Sequence, residues 1–516
     1  MLKSLARNAV LGVFLVPGAT LPLYDASTHL KASASQPACA IESPKSGSDI
    51  RGVVLFRVAC GHQAPVQGCE FSFESQGAQS GPFHSPVDTR SLGADGPVQV
   101  IARCGVSRVT VESPPSRLWL SNRLGSVLGV NSSLSKQDVD LVSQLGLRWI
   151  RADAEWGFHR TEEAFRADVE RSAHGEGWPS LKPLRERLSY AHQLGLRVLV
   201  IAMGSPDWAH GAASLGGYVW HQAILPRRRA AFAEYVKELC LEGVDAVEVI
   251  NEPNGSAEYI FGPDHPRAAF PDERVDDYVQ LLRAVYQHVK ADPRTRTCLI
   301  GIGAPSSYGH ELVATGNAIH PRIWYHRLFH ATADDRKTAT TAAGSFDFAS
   351  VHPYGEENVD KGPTEWDHRW TRFALQYGDA AYAHGMAMVH RIRSELVAAG
   401  QGGKPLWATE VGAATFGGQC QAKPCKSEAR QREWLQQYIR AWFSNEPTGW
   451  HSPLAERFYG DFTGPLFYYQ LRDKSNGIVP PLNKEGFFGL LKYNGTEKLA
   501  FAELARIAAT TIQSLQ

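Results

Sequence analysis

The sequence predicts an α/β chain: a closed (β/α)₈ barrel preceded by a small N-terminal β-sandwich. Two observations carry this. From Ser126 onward, short apolar runs alternate with amphipathic stretches eight times, and such alternation calls for a parallel sheet. Before that, between residues 38 and 113, short runs such as VVLFRVAC, CEFSFES and VQVIARC are separated by Gly, Pro and Ser with no helical period between them. A length of 516 residues accommodates both units.

The chain opens with Lys3 and Arg7, an apolar stretch from Ala9 to Val16, and Pro17-Gly18-Ala19. This order fits a secretory signal peptide within residues 1–26, with cleavage near Ala19 or Ala26; the apolar run is too short to span a bilayer. No later stretch of eighteen apolar residues exists, so no membrane span is expected in the mature chain. A secreted, extracellular or periplasmic location follows. The eight cysteines agree with it. Cys39, Cys60, Cys69 and Cys104 cluster early, and Cys420 and Cys425 bracket a short loop, which suggests disulfides. No CxxC pair or matching His spacing supports a metal site, and no metal or cofactor is expected. Cys240 and Cys298 sit at the edges of predicted elements and either pair or remain as buried thiols.

Pro114-Pro115 marks a linker, and the barrel is expected over residues 120–516. Strands are predicted at 126–131, 147–153, 196–204, 244–251, 298–305, 346–354, 405–410 and 465–470. Between them lie amphipathic stretches such as SKQDVDLVSQLG and RVDDYVQLLRAVYQHVK. The repeated QLGLR at 144–148 and 193–197 places a glycine after a helix with a strand directly behind it. An open doubly wound sheet is the alternative, but no Gly-rich phosphate loop follows the first strand.

Charge narrows the partner class. Lys plus Arg equals Asp plus Glu at 53 each, which argues against nucleic acid or an anionic membrane surface. Thirteen Trp and seventeen Tyr supply flat rings able to stack on sugars, although most must serve the core.

In a barrel of this kind, active sites are built at the C-terminal ends of the strands. Strand two ends in Arg151-Ala152-Asp153 with Trp156 behind it. Strand three is followed by Ser205-Pro206-Asp207-Trp208, strand four by Asn251-Glu252-Pro253, strand six by His352-Pro353-Tyr354, and strand seven by Glu410. A carboxyl half withdrawn from water there can act as a general acid, and Asn251 offers a donor and an acceptor to a hydroxyl. Asn-Glu-Pro is also a common way to begin a helix. Arg151 either reaches the site or pairs with Glu248, which shares the parity of Glu252. His352 is either a satisfied core histidine or a sugar contact, and Trp156 and Trp208 are either packing residues or sugar platforms.

Taken in this order, WIRAD, the PDW turn, VINEPN, SVHPY and WATEVG resemble the barrel motifs of glycoside hydrolase clan A, especially families five and thirty-nine. The N-terminal segment resembles bacterial immunoglobulin-like modules. The clan resemblance spans about residues 126 to 505 and implies a retaining β-glycosidase with Glu252 as acid/base and Glu410 as nucleophile. Arg151, Asp153, Trp156, Trp208, Asn251, His352 and Tyr354 match or neighbour substrate-binding and supporting positions. Two departures stand out: the eighth strand reads Phe467-Tyr468-Tyr469-Gln470 where many members carry a floor tryptophan, so that floor is either missing or passes to a tyrosine, and the accessory module is N-terminal. The organisation resembles bacterial enzymes that trim exopolysaccharides. The expected partner is an extracellular polysaccharide or oligosaccharide, met by a monomer whose loops 205–226, 254–271 and 306–345 shape the cleft. A non-catalytic carbohydrate-binding barrel is the rival; it has no need of two paired carboxylates.

Overall fold

The computed structural model describes residues 39–510, apart from 45–48, 51–52, 61–67, 76–77, 86, 93–95, 107–108, 113–115 and 121–123 near the N-terminus and 160, 211–222, 256–270, 307–318, 320, 331–340, 355–384, 416–426, 444–462 and 479–483 further on. The expected signal segment, the Cys420–Cys425 loop and most of the three cleft loops lie outside the described residues.

Eight parallel strands form the barrel: Leu128–Asn131, Trp149–Glu155, Arg197–Met203, Ala246–Val249, Leu299–Ile302, Ala349–Val351, Leu406–Val411 and Thr463–Tyr468. Each pairs with its sequence neighbour from strand one to strand five, strand one also pairs with strand eight, and eight, seven and six follow in turn. A parallel bridge between Gly301 and Phe348 joins strands five and six and brings the ring round on itself. All eight fall on the runs predicted from the sequence.

The helices form where the apolar period was read. Lys136–Gln144 begins at Ser135, whose hydroxyl accepts from the Asp138 backbone N–H at 3.2 Å, one of the donors that a helix start leaves unpaired. It stops at Gly146, and the helix Lys182–Gln193 stops in the same way at Gly195. Both glycines hold positive φ, 71° and 75°, so the chain reverses without the steric cost a side chain would bring.

Parity along the strands sorts the barrel interior into layers. Trp149, Leu199, Ala246, Phe348, Trp407 and Phe467 make a buried apolar layer, with Phe348 and Trp407 stacked at 3.9 Å between centroids. Two residues further along, the inward positions turn polar: Arg151, Glu248, Ser350 and Thr409, all buried. An apolar floor beneath a polar layer pins the charged groups toward one end.

The N-terminal region holds a mainly antiparallel six-stranded sheet and two two-stranded sheets, with its own core of Phe56, Phe71, Phe73, Val98, Val100 and Leu118. It includes the strand Ser116–Leu120, beyond the Pro114-Pro115 pair expected to close it. Only these antiparallel strands answer to the immunoglobulin resemblance; Trp119 and Leu120 pair in parallel with Asp49 and Ile50. A disulfide joins Cys69 to Cys104, Cys39 is also disulfide-bonded, and Cys240 pairs with Cys298. The last of these resolves the open alternative in favour of a bond, tying the helix Arg229–Leu241 to the entry of strand five. No described helix is long and apolar enough to cross a membrane.

Candidate active site

Arg151 organises the end of the barrel where the strands finish. Its guanidinium is 1% exposed and donates to four oxygens: Nε to Glu248 at 2.9 Å, Nη1 to Asn131 at 2.7 Å and to Glu410 at 2.6 Å, and Nη2 to Asn251 at 3.0 Å. Strands one, four and seven are thereby tied to strand two through one planar fork that a lysine could not reproduce. Glu248 is fully buried and compensated, since it also accepts from the Ala304 backbone N–H at 2.8 Å and the Thr409 hydroxyl at 3.2 Å. The two readings of Arg151 are therefore both realised: it pairs with Glu248 and with Glu410.

Strand seven delivers Glu410, half-buried, with one oxygen on Arg151 and the other accepting from the Tyr354 hydroxyl at 2.8 Å. Burial alone would raise its proton affinity. The His352 and Arg151 charges and the bonds from Tyr354 and Arg151 outweigh that and hold the carboxyl below its ordinary range. Tyr354 pays the opposite way: burial, then the Glu410 charge, push its phenol well up, so it remains a donor.

Glu252 is held differently. No helix follows Asn251-Glu252-Pro253 among the described residues, so the helix-start reading does not apply. Instead the chain turns sharply, with Ile250 at φ 65° and Glu252 at φ 43°, left-handed conformations that cost side-chain-bearing residues of order 1–3 kcal/mol each. Buried Asn254 anchors the turn, accepting from the Ser306 N–H at 2.7 Å and donating to the carbonyls of Ser306 and Ile319. Gly303 on the neighbouring strand lets the turn come close: a Cβ there would stand 2.2 Å from the Ile250 carbonyl oxygen.

His352 sits between the two acids. Its Nδ1 is 2.8 Å from Glu252 Oε1 and its Nε2 is 3.7 Å from Glu410 Oε1. Burial lowers the imidazole's proton affinity, but Glu410 and Glu252 together raise it above the ordinary value, against the Arg151 charge. One oxygen of Glu252, one nitrogen of His352 and one oxygen of Glu410 all lie within 4.8 Å of one another. Residues 158 positions apart in sequence, 252 and 410, thus present their carboxylates to one small space.

The remaining expected residues divide. Asp153 lies two positions beyond Arg151 on the same strand; it is open to solvent yet ringed by protein, and that surrounding raises its carboxyl, helped by the Glu410 charge and opposed by Arg151 and Lys474. Asn251 commits its carbonyl oxygen to Arg151. Arg151 and His352, expected to touch substrate, are buried at 1% and 0%, and each reaches the carboxylates. Trp156 is a correction: at 0% exposure it has no face to offer, because Trp208, Phe165, Phe232 and Tyr235 enclose it. Trp208 is half-buried against Trp156 and Phe165, and its indole N–H donates to the His159 carbonyl at 2.8 Å.

Two contributors escaped the sequence reading. Asn131 ends strand one, and its amide also donates to the Thr409 carbonyl at 3.0 Å; carrying the census of strand ends back to strand one finds it. Thr409 precedes Glu410 with inward parity and braces Glu248. Tyr469, one of the strand-eight tyrosines in the expected floor position, is half-buried and faces Tyr354 and Phe488 edge-on with the Lys474 amine 5.0 Å above its ring.

No protein-family model and no curated protein sequence matches the chain. Solved structures similar to it include a family 39 glycoside hydrolase from the gut symbiont Bacteroides cellulosilyticus WH2, at 14% identity over 91% of this chain and 82% of that one, with a TM-score of 0.43. A GH5_18 from Bifidobacterium longum subsp. infantis matches at 15% identity over 74% of this chain and 78% of that one, TM-score 0.44. A beta-glucosidase from Exiguobacterium marinum matches at 18% identity over 72% of this chain and 86% of that one, TM-score 0.43.

Proposed function

We propose that this chain is a retaining β-glycoside hydrolase acting on an extracellular polysaccharide or oligosaccharide, with Glu410 as nucleophile and Glu252 as acid/base. The observation that carries the reading is the carboxylate pair: oxygens of Glu252 and Glu410 within 4.8 Å of each other, in unlike surroundings. Retaining pairs stand roughly 5–5.5 Å apart and inverting pairs roughly 6.5–9.5 Å, so the short separation favours direct attack over an interposed water.

The unlike surroundings assign the roles. Glu410, stabilised as the anion by two donors and a neighbouring cation, is suited to attack the anomeric carbon. Glu252 shares the 2.8 Å contact with His352, whose proton affinity the two carboxylates raise, so this pair is the source of the proton that the leaving oxygen takes. That proton lies on either side of the Nδ1 to Oε1 contact and is available to the leaving oxygen through Glu252. In the first step the Glu410 carboxylate forms a bond to the anomeric carbon as the glycosidic oxygen departs with that proton. The glycosyl ester cancels the Glu410 charge and the raised affinity of His352 falls with it; Glu252 then takes a proton from water as the water oxygen bonds to the same carbon and the bond to Glu410 breaks, releasing its carboxylate. Asn251, Asp153 and Tyr469 border the space where a sugar would sit, whereas Arg151, Tyr354 and His352 position the acids. Neither cofactor nor metal is required by this scheme. Secretion is supported by the disulfides, which persist in oxidising compartments.

The test is a panel of aryl β-glycosides, with the first-formed sugar followed by proton NMR. The reading expects turnover with the β-anomer appearing first; appearance of the α-anomer first would overturn retention, and no turnover on any aryl glycoside or defined polysaccharide would favour the binding protein.

A further inference from the structure

Away from the cleft, the helices Pro321–Phe329 and Gly385–Ala398 place His326, His330 and Glu395 side by side. We propose that these three residues form a zinc site that pins one helix to the other.

His326 and His330 are four residues apart, and the His330 backbone N–H donates to the His326 carbonyl at 2.9 Å, so the helical turn runs across both. The i, i+4 spacing sets both imidazoles on one face, the spacing by which helices present paired histidines to zinc. Their rings are 4.4 Å apart between centroids and nearly perpendicular. Glu395, from the other helix, brings Oε2 to 2.9 Å from His326 Nδ1, and one donor atom from each of the three lies within 4.8 Å of the other two. Bonds of about 2.0–2.2 Å in a tetrahedron put neighbouring donors roughly 3.3–3.6 Å apart. Small rotations of two partly exposed imidazoles cover the difference.

The donor set names the metal. Two imidazoles and one carboxylate suit a borderline ion such as zinc, whereas calcium and magnesium require oxygen ligands throughout. Glu395 is 8% exposed and is held by Arg322, whose Nε donates to its other oxygen, Oε1, at 3.2 Å. That bond aims Oε2 at the histidines, as outer partners of zinc carboxylates do. Three protein donors with the exposed His326 at the edge leave the fourth position to water. An ion pair between His326 and Glu395 alone gives no role to His330, whose ring makes no hydrogen bond to any described residue. The other cluster with comparable spacing, Glu252, His352 and Glu410, is a poor rival: the Arg151 guanidinium already lies 2.6 Å from Glu410 and 3.4 Å from His352 and repels a second cation.

The experiment is calorimetric titration of zinc chloride into the full chain after removal of metal by a chelator, with melting temperature read in parallel. The wild type is expected to bind one zinc and to melt higher with it. His330→Ala is expected to melt like the wild type without zinc, to bind at least about a hundredfold more weakly, and to lose the zinc-dependent rise, since loss of a direct ligand should exceed the 10- to 100-fold effect of an outer partner. His326→Ala should behave alike in its zinc response. No binding by the wild type, binding unchanged in both variants, or binding abolished by His352→Ala instead would each overturn the proposal.

Discussion

Replacing Arg151 by methionine tests whether the polar layer is held together as described. The side chain is buried, and its removal leaves Glu248 at 0% exposure without its only charged partner among the described residues and Glu410 without a donor at 2.6 Å. Stripping one partner from a buried ion pair costs about 3–5 kcal/mol, because the remaining charge has nothing to replace the water it gave up. The same loss removes one of the groups holding the Glu410 carboxyl low, so its proton affinity must rise. Chemical denaturation followed by circular dichroism at neutral pH should show that destabilisation, and repeating it near pH 4 should show less, because protonating Glu410 removes its unpaired charge. Arg151→Met combined with Glu248→Gln should recover part of the loss. A variant that unfolds within about 1 kcal/mol of the wild type, or one whose deficit is the same at both pH values, would refute the claim that this guanidinium neutralises the layer.

Other predictions follow from the same contacts. Tyr354→Phe removes a hydrogen bond to a charged oxygen worth about 1.5–3 kcal/mol, so kcat on an aryl glycoside should fall roughly 10- to 100-fold, and the acid limb of the pH profile should move up as Glu410 loses a donor. The raised affinity of His352 contributes stability that is fully present below about pH 6.5 and is lost as pH rises through the folded-state value. His352→Gln should abolish that stretch of pH-dependent melting and move the alkaline limb of activity downward. The Cys240–Cys298 bond closes a loop of 58 residues, for which chain entropy gives roughly 4 kcal/mol; Cys240→Ala with Cys298→Ala should lower the denaturation midpoint by a comparable amount without changing KM.

The barrel was legible because its signal is periodic. The runs are mostly apolar, some such as Leu199–Met203 on both faces as buried parallel strands must be, and the two QLGLR repeats marked helix ends with residues that tolerate positive φ. The carboxylate pair was legible because strand ends in a barrel converge wherever they stand in sequence. What the sequence concealed was the direction of individual side chains. Trp156 looks like a sugar platform until Phe165, Trp208 and Phe232 are seen around it, and His352 looks like a sugar contact until it is found between two glutamates. The left-handed turn at Ile250 and Glu252 could not be foreseen either, since neither residue favours that conformation and it persists only through Asn254 and Gly303.

The most direct measurement of the central claim is azide rescue of Glu410→Ala on an activated aryl β-glycoside. With the nucleophile gone but Glu252 and His352 in place, turnover should collapse by several orders of magnitude and return in part with azide, yielding the α-glycosyl azide. Rescue of Glu410→Ala to the β-azide, or an α-azide from Glu252→Ala instead, would contradict the roles given to the two carboxylates.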